Sequence, residues 1–261
     1  MRFRFRTLLI FLTLVACGFG AGTHYVNRYR AICVADKLGV TLSYAGEGKN
    51  SAKPEWQDAF KRVEAISAEQ SLDDERLRYV LSNLWDVRKI KMKWGRPTIE
   101  TARVIGRLPS LEECDFGLQW LEHGELEAIC KSSSLETIYL GLPVSDLECE
   151  ALGKSRSLRK LNLPGSRLWS QQLVQLNQIP DLEFLSFWVK GELSSSFREA
   201  IEALLTRHPK LTLRVSMIDE EEQSSPSRRP MHGSTRRERE ENTVWWDGLR
   251  KRHPSCVIEL K

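Results

Sequence analysis

Leu135-Glu136-Thr137-Ile138-Tyr139-Leu140 is followed 23 residues later by Leu158-Arg159-Lys160-Leu161-Asn162-Leu163. Both have the form apolar-x-x-apolar-x-apolar. The same form occurs at Val87/Ile90/Met92, Leu111/Cys114/Phe116 and Leu182/Leu185/Phe187, so the five starts are separated by 24, 24, 23 and 24 residues. All fifteen template positions are apolar. A fixed period of this length marks units that stack, each too small to bury a core alone. Leucine follows the same distribution: 23 of its 35 occurrences lie between Leu108 and Leu213.

Between the templates the apolar period changes from two to about 3.6. Leu126, Ile129 and Cys130 form one helical stripe, Leu173 and Leu176 a second, and Phe197, Ala200, Ile201, Leu204 and Leu205 the longest. Thr98, Asp146, Ser170 and Ser194–Ser196 stand where helices would start. Pro109 and Pro180 precede Leu111 and Leu182 by two residues, where a helix must stop before the next strand. Each unit therefore reads as strand, turn, helix and return. The expected architecture is α/β, with a parallel sheet on one side of the stack and helices on the other.

With these residues the chain resembles the leucine-rich-repeat family in its 24-residue strand–helix form, over about Val87–Leu213. The asparagine that many such repeats carry nine positions into the unit is replaced by Gly95, Gln119, Pro143, Ser166 and Lys190. The layout also resembles uncharacterised membrane-anchored leucine-rich-repeat proteins of planctomycete-type bacteria. That likeness rests on Arg6-Thr7-Leu8-Leu9 leading into an apolar helix, a basic helix after it, and Lys37-Leu38-Gly39-Val40-Thr41-Leu42-Ser43-Tyr44 before the repeats. It implies a solenoid that binds a protein partner, with no cofactor.

Arg2, Arg4 and Arg6 precede a stretch, Thr7–Asn27, that carries no charge when His24 is neutral. As a helix its 21 residues span about 31 Å, the thickness of a bilayer's hydrocarbon core. An uncleaved transmembrane anchor explains the whole stretch, with Tyr25 and Tyr29 near the interface. Leu14-Val15-Ala16-Cys17 supports an alternative, a lipoprotein anchored through Cys17. A cleaved signal is the third reading. Three arginines before the stretch against Arg28 and Arg30 after it favour a cytoplasmic N-terminus, with the repeats on the far side.

The remaining organisation follows from the flanks. Residues 1–27 are the anchor or signal, and 28–86 a juxtamembrane helix and α/β cap. Within that cap a strand is expected at Val40–Tyr44, then helices carrying Trp56, Phe60, Val63 and Ile66 and carrying Leu77, Val80, Leu81 and Leu84. Residues 87–218 are the solenoid. In 219–243 Met231 is the sole apolar side chain among seven acidic and five arginine residues, a composition expected to stay disordered. Residues 244–261 repeat a helix–strand unit, since Arg207-His208-Pro209-Lys210-Leu211 recurs as Arg252-His253-Pro254-Ser255-Cys256.

Composition and motifs narrow the function. A net charge of +4 in 261 residues excludes a strongly basic nucleic-acid binder. No CxxC or HExxH spacing, nucleophile elbow or phosphate-binding glycine loop occurs, so neither an enzyme nor a metal or cofactor site is expected. Cys114 and Cys130 read as small buried hydrophobes; the disulfide state of Cys149 and Cys256 stays open. The candidate site is the strand face turned away from the core, where alternate side chains point. It carries Lys89 and Lys91, Glu113 and Asp115, Tyr139, Lys160 and Asn162, and Phe184 and Trp188. Aromatic side chains on a solvated sheet mark contact sites for a protein partner. The competing readings are charge pairing between neighbouring strands and cover by the C-terminal unit. Self-association as a structural, envelope-organising protein is the functional alternative.

Overall fold

A computed structural model describes residues 5–45, 54–55, 57–58, 61–69, 73–93, 97–190, 193–218 and 236–260. Helix α1 (Phe5–Lys37) is continuous and leads into β1 (Thr41–Tyr44). Its end is a full Schellman arrangement: the Val40 amide donates to the Ala35 carbonyl at 2.9 Å and the Gly39 amide to Asp36 at 3.0 Å. Gly39 has φ +67°, a conformation that glycine adopts without a Cβ penalty. The basic helix expected after the apolar stretch is thus the second half of one long helix. The side chains of residues 5–19, Cys17 among them, lie outside the described set. Among the described residues no helix is long and apolar enough to cross a membrane.

From β2 (Val63–Ala68) onward the chain alternates: α2 (Asp74–Asn83), β3 (Lys89–Met92), α3 (Ile99–Ile105), β4 (Glu113–Asp115), α4 (His123–Cys130), β5 (Thr137–Tyr139), α5 (Asp146–Gly153), β6 (Lys160–Arg167), α6 (Ser170–Leu176), β7 (Phe184–Lys190), α7 (Ser195–Arg207), β8 (Thr212–Ile218), α8 (Arg236–Arg252) and β9 (Val257–Leu260). The nine described strands form one sheet in chain order, parallel except for the antiparallel β1–β2 pair. Helices α1 to α7 pack in the same succession. The α/β layout expected from the period is therefore present as a solenoid-like alternation. Its register follows the template, with Ile90, Cys114, Ile138, Leu161, Leu185, Leu213 and Ile258 side by side across seven strands.

All fifteen template side chains are buried, in one apolar cluster that runs from Ala31 to Ile258. Each contributes about 1.5–3 kcal/mol of transfer free energy before the entropy of ordering is subtracted. The turns use a second periodic device. At the third position of α4, α5 and α6, buried Glu125, Glu148 and Gln172 accept from the amides of Glu122, Ser145 and Trp169 at 2.9, 2.6 and 3.0 Å. Each is the backward half of a capping box and satisfies a helix-end donor that burial would orphan. The expected starts hold: Thr98 and Ser194 are N-caps, and Asp146 and Ser170 are first helical residues.

The missing asparagine column has substitutes. Gln119 Nε2 donates to the Met92 carbonyl at 2.8 Å, and Ser166 Oγ donates to Leu142 O and accepts from the Val144 amide, both at 3.2 Å. Each thereby fastens one coil to the coil before it. Beside them Gly117, Gly141 and Gly165 stack, with the Gly141 amide donating to Gly117 O at 2.6 Å. A Cβ at Gly165 would overlap the Gly141 carbonyl, and one at Gly141 the Gly117 carbonyl. Close backbone approach is why glycine stands there.

Two expectations need correction. Val63–Ala68 is strand β2, not helix. Val63, Ile66 and Ala68 point inward as the same apolar template one 24-residue step before Val87, Ile90 and Met92, and its i, i+3 start imitates a helical stripe. Pairing with β3 outweighed the local period; Trp56 and Phe60 lie outside the described residues. The charged insertion is also shorter than expected, since α8 already begins at Arg236. Residues 219–235 lie outside the described set. The duplicated Arg-His-Pro turn does precede two equivalent strands, Thr212 pairing with Val257 and Leu213 with Ile258.

Candidate functional site

The outward face of the sheet divides into two parts. On β3 and β4 the charges pair across strands in register: Lys89 with Glu113 at 3.1 Å and Lys91 with Asp115 at 2.9 Å. Just before these strands Arg88 meets Glu112 at 3.2 Å, and past β3 Lys93 meets Glu69 at 2.8 Å. The Asp115 carboxylate, through hydrogen bond and charge, raises the Lys91 pKa above its ordinary value. Asp115 also accepts from the Gly117 amide at 2.9 Å. Of the four charged candidates on these strands, none stands apart from a partner of opposite sign. Half-exposed pairs of this kind contribute about 0–1 kcal/mol each.

From β5 to β7 the face changes character. Lys160 is exposed and forms no ion pair among the described residues. Its register neighbours are Thr137 on one side and Phe184 on the other. Tyr139 and Asn162 occupy the next row, where Ser186 Oγ donates to Asn162 Oδ1. Tyr139, Phe184 and Trp188 are half-buried. Cover from the C-terminal unit is partial: the Arg214 guanidinium stands 5.3 Å from the Phe184 ring centroid and pairs with Glu259 at 2.6 Å. Phe184 and Lys160 thus form one patch, with Tyr139 and Asn162 beside it, and the lysines of β3 stand outside it.

The aromatic run continues around the edge where strands turn into helices. Trp188 pairs in register with Arg167, whose guanidinium stacks 4.1 Å over the Trp169 ring. Trp169 is 54% exposed and Trp120 53%; Leu118 and Leu147 are exposed on the same edge. Sequence reasoning missed these four. They fall outside the strand template and outside the helical stripes, so periodicity gave no signal. Two tryptophans in short polar turns were the available cue, because a solvated turn has no packing use for a large ring.

His123, the first residue of α4, places Nδ1 2.8 Å from the Leu147 carbonyl. His208 is buried at the end of α7, and burial lowers its pKa. The described cysteines are free thiols. Burial pushes Cys130 and Cys149 up to about 12 and Cys114 further still, so these thiols stay protonated and unreactive. Among the described residues no group of three His, Cys, Asp or Glu side chains could hold a metal ion.

One further site lies at the N-terminal end, and sequence reasoning missed it too. Arg28 of α1 is 3% exposed and grips Asp86 with both terminal nitrogens, at 2.7 and 2.8 Å. The same guanidinium donates to the Lys61 carbonyl at 2.7 Å, and Asp86 accepts from the Val63 amide at 3.0 Å. The pair ties the long helix to the sheet. Beside it a cleft of about 420 Å³ opens between His24, Tyr25, Arg62 and Trp85.

Fold and site together define a class: an α/β protein of stacked strand–helix coils, with an open sheet face bearing aromatic side chains and, at Lys160, a lysine without an ion-pair partner among the described residues. No family model matches the chain, and no curated protein matches it.

Proposed function

We propose that the chain is a membrane-anchored leucine-rich-repeat protein that captures a protein partner on the open strand face, without catalysis. The single observation carrying this reading is the Lys160–Phe184 patch, a solvated cation without an ion-pair partner among the described residues, with half-exposed Phe184 beside it and Tyr139 in the next row. Interface hot spots combine buried rings with a complementary charge. The partner surface should accordingly present a carboxylate to Lys160 and apolar side chains to Phe184 and Tyr139. Lys89, Lys91, Glu113 and Asp115, already satisfied in pairs, form a flanking rim that guides encounter more than it holds. The uncharged stretch 7–27 would fix this face at a membrane, with a cytoplasmic N-terminus and the coils on the far side.

Proximity labelling from the native chain tests the reading. Tyr139→Ala with Trp188→Ala, and separately Lys160→Glu, should lower labelling of the principal neighbour about tenfold, equivalent to losing about 1.4 kcal/mol of contact. Val174→Ala, on the exposed side of α6, should leave it unchanged. Equal labelling by all variants would refute the site, and a stable homo-oligomer of the purified chain would favour self-association instead.

A further inference from the structure

We propose that the cleft between α1 and the turn after α2 seats the phosphate of an anionic phospholipid headgroup, so that the cap rests on the membrane surface. The inference rests on the anchor reading of residues 7–27. Three observations carry it.

The first is charge. The cleft is lined by Arg28, Lys61 and Arg62 against one carboxylate, Asp86. Asp86 is consumed by Arg28, and Lys61 stands 3.2 Å from Asp58. Arg62 is exposed and forms no ion pair among the described residues. It is the cation left to meet an anion, and a guanidinium presents the planar donor fork that phosphate oxygens accept.

The second is the aromatic wall. Trp85 and Tyr25 are both exposed at the rim. Trp85 is not loose, because its Nε1–H donates to His24 Nε2 at 3.1 Å, across rings 6.3 Å apart. A fixed tryptophan with an apolar body and a satisfied polar edge is suited to the boundary between acyl chains and water.

The third is depth. Since α1 is a single helix, Arg28 follows the uncharged stretch 7–27 without a break. If that stretch spans the hydrocarbon core of about 30 Å, Arg28 is the first residue past it. The headgroup layer beyond the core is about 5–8 Å thick. The cleft around Arg28, Arg62 and Trp85 then opens at the boundary between acyl chains and headgroups, with His24 and Tyr25 in the last turn of the span.

The test uses the full chain reconstituted in vesicles of equal parts phosphatidylglycerol and phosphatidylcholine. An alkaline carbonate wash reads the anchor, and native mass spectrometry of the detergent-extracted chain reads which lipid stays bound. The expected result is a carbonate-resistant chain that retains phosphatidylglycerol over phosphatidylcholine about fivefold or more. Arg62→Glu should abolish the preference, Trp85→Ala should weaken it, and Arg62→Lys should keep most of it, all with unchanged carbonate resistance and melting. A resistant chain with no preference, or one whose preference survives Arg62→Glu, overturns the headgroup site alone. Displacement of the lipid by millimolar inorganic phosphate would make the cleft a general phosphate site and overturn the membrane assignment. A chain stripped by carbonate removes the anchor reading and this inference together.

Discussion

The middle of the stack and its N-terminal end hold together by different means. In the middle, from β4 to β7, cohesion is periodic: apolar template side chains in register, buried capping side chains, and backbone contacts so close that Gly141 and Gly165 leave no room for a methyl group. At the N-terminal end the period stops, β1 runs antiparallel, and one desolvated pair, Arg28–Asp86, fastens α1 to the sheet. The middle is redundant, because each coil is supported by two neighbours. The end rests on one packed helix face, with Ala31, Ile32 and Ala35 in the core, and on this pair. A stack must be closed by something unlike itself, and here closure costs a buried charge pair.

That contrast can be broken most directly at Asp86. Asp86→Ala leaves the Arg28 guanidinium buried without its counter-charge, and a loss of about 3–5 kcal/mol is expected in chemical denaturation. The double variant Arg28→Met with Asp86→Leu should recover most of this, since well-packed apolar pairs replace buried ion pairs at little cost. A single variant as stable as the parent would show that the cap does not rely on the pair.

Gly165→Ala attacks the middle instead. The added methyl meets the Gly141 carbonyl, and overpacking of about 1–3 kcal/mol is expected, read as a lower melting midpoint. A neutral outcome would mean that the coils have slack to separate.

A smaller effect is expected from acid. Burial lowers the pKa of His208 below its ordinary 6.5. The folded state thus favours the neutral ring, and the stability this brings is present above 6.5 and lost as pH falls through the lower folded value. The melting midpoint should drop between about pH 7.5 and pH 5, and the drop should shrink in His208→Gln. The same drop in both proteins would assign the acid sensitivity to other groups.

The smallest effect belongs to the charge rows of the open face. Lys91→Ala should cost less than about 1 kcal/mol in denaturation, and less again at high salt. A larger, salt-resistant loss would make that row part of the scaffold.

Much of this was legible before any coordinates. The 24-residue step placed β3 to β7 and their inward side chains, because stacking translates a spacing in sequence directly into a neighbour in space. The duplicated Arg-His-Pro turn did the same for β8 and β9. The first coil was misread at Val63–Ile66, since the i, i+3 pair that opens each template unit is also a helical spacing, although Val63, Ile66 and Ala68 stand one 24-residue step before Val87, Ile90 and Met92. For the face, sequence placed the candidate residues on the outward side of the strands but not their partition. Whether Lys89 and Lys160 differ depends on what stands opposite each on the next strand, Glu113 in one case and Phe184 in the other.

The amino-acid order by itself determined the alternation of strand and helix, the inward set and the outward set, because periodicity is a local property written along one chain. Only the tertiary structure decided that Arg28 meets Asp86 across 58 residues, that Gln119 and Ser166 fasten their coils to the coils before them, and that one lysine of the face stands without an ion-pair partner among the described residues. Those outcomes are set by desolvation and contact between segments far apart in sequence, and no repeat length encodes them.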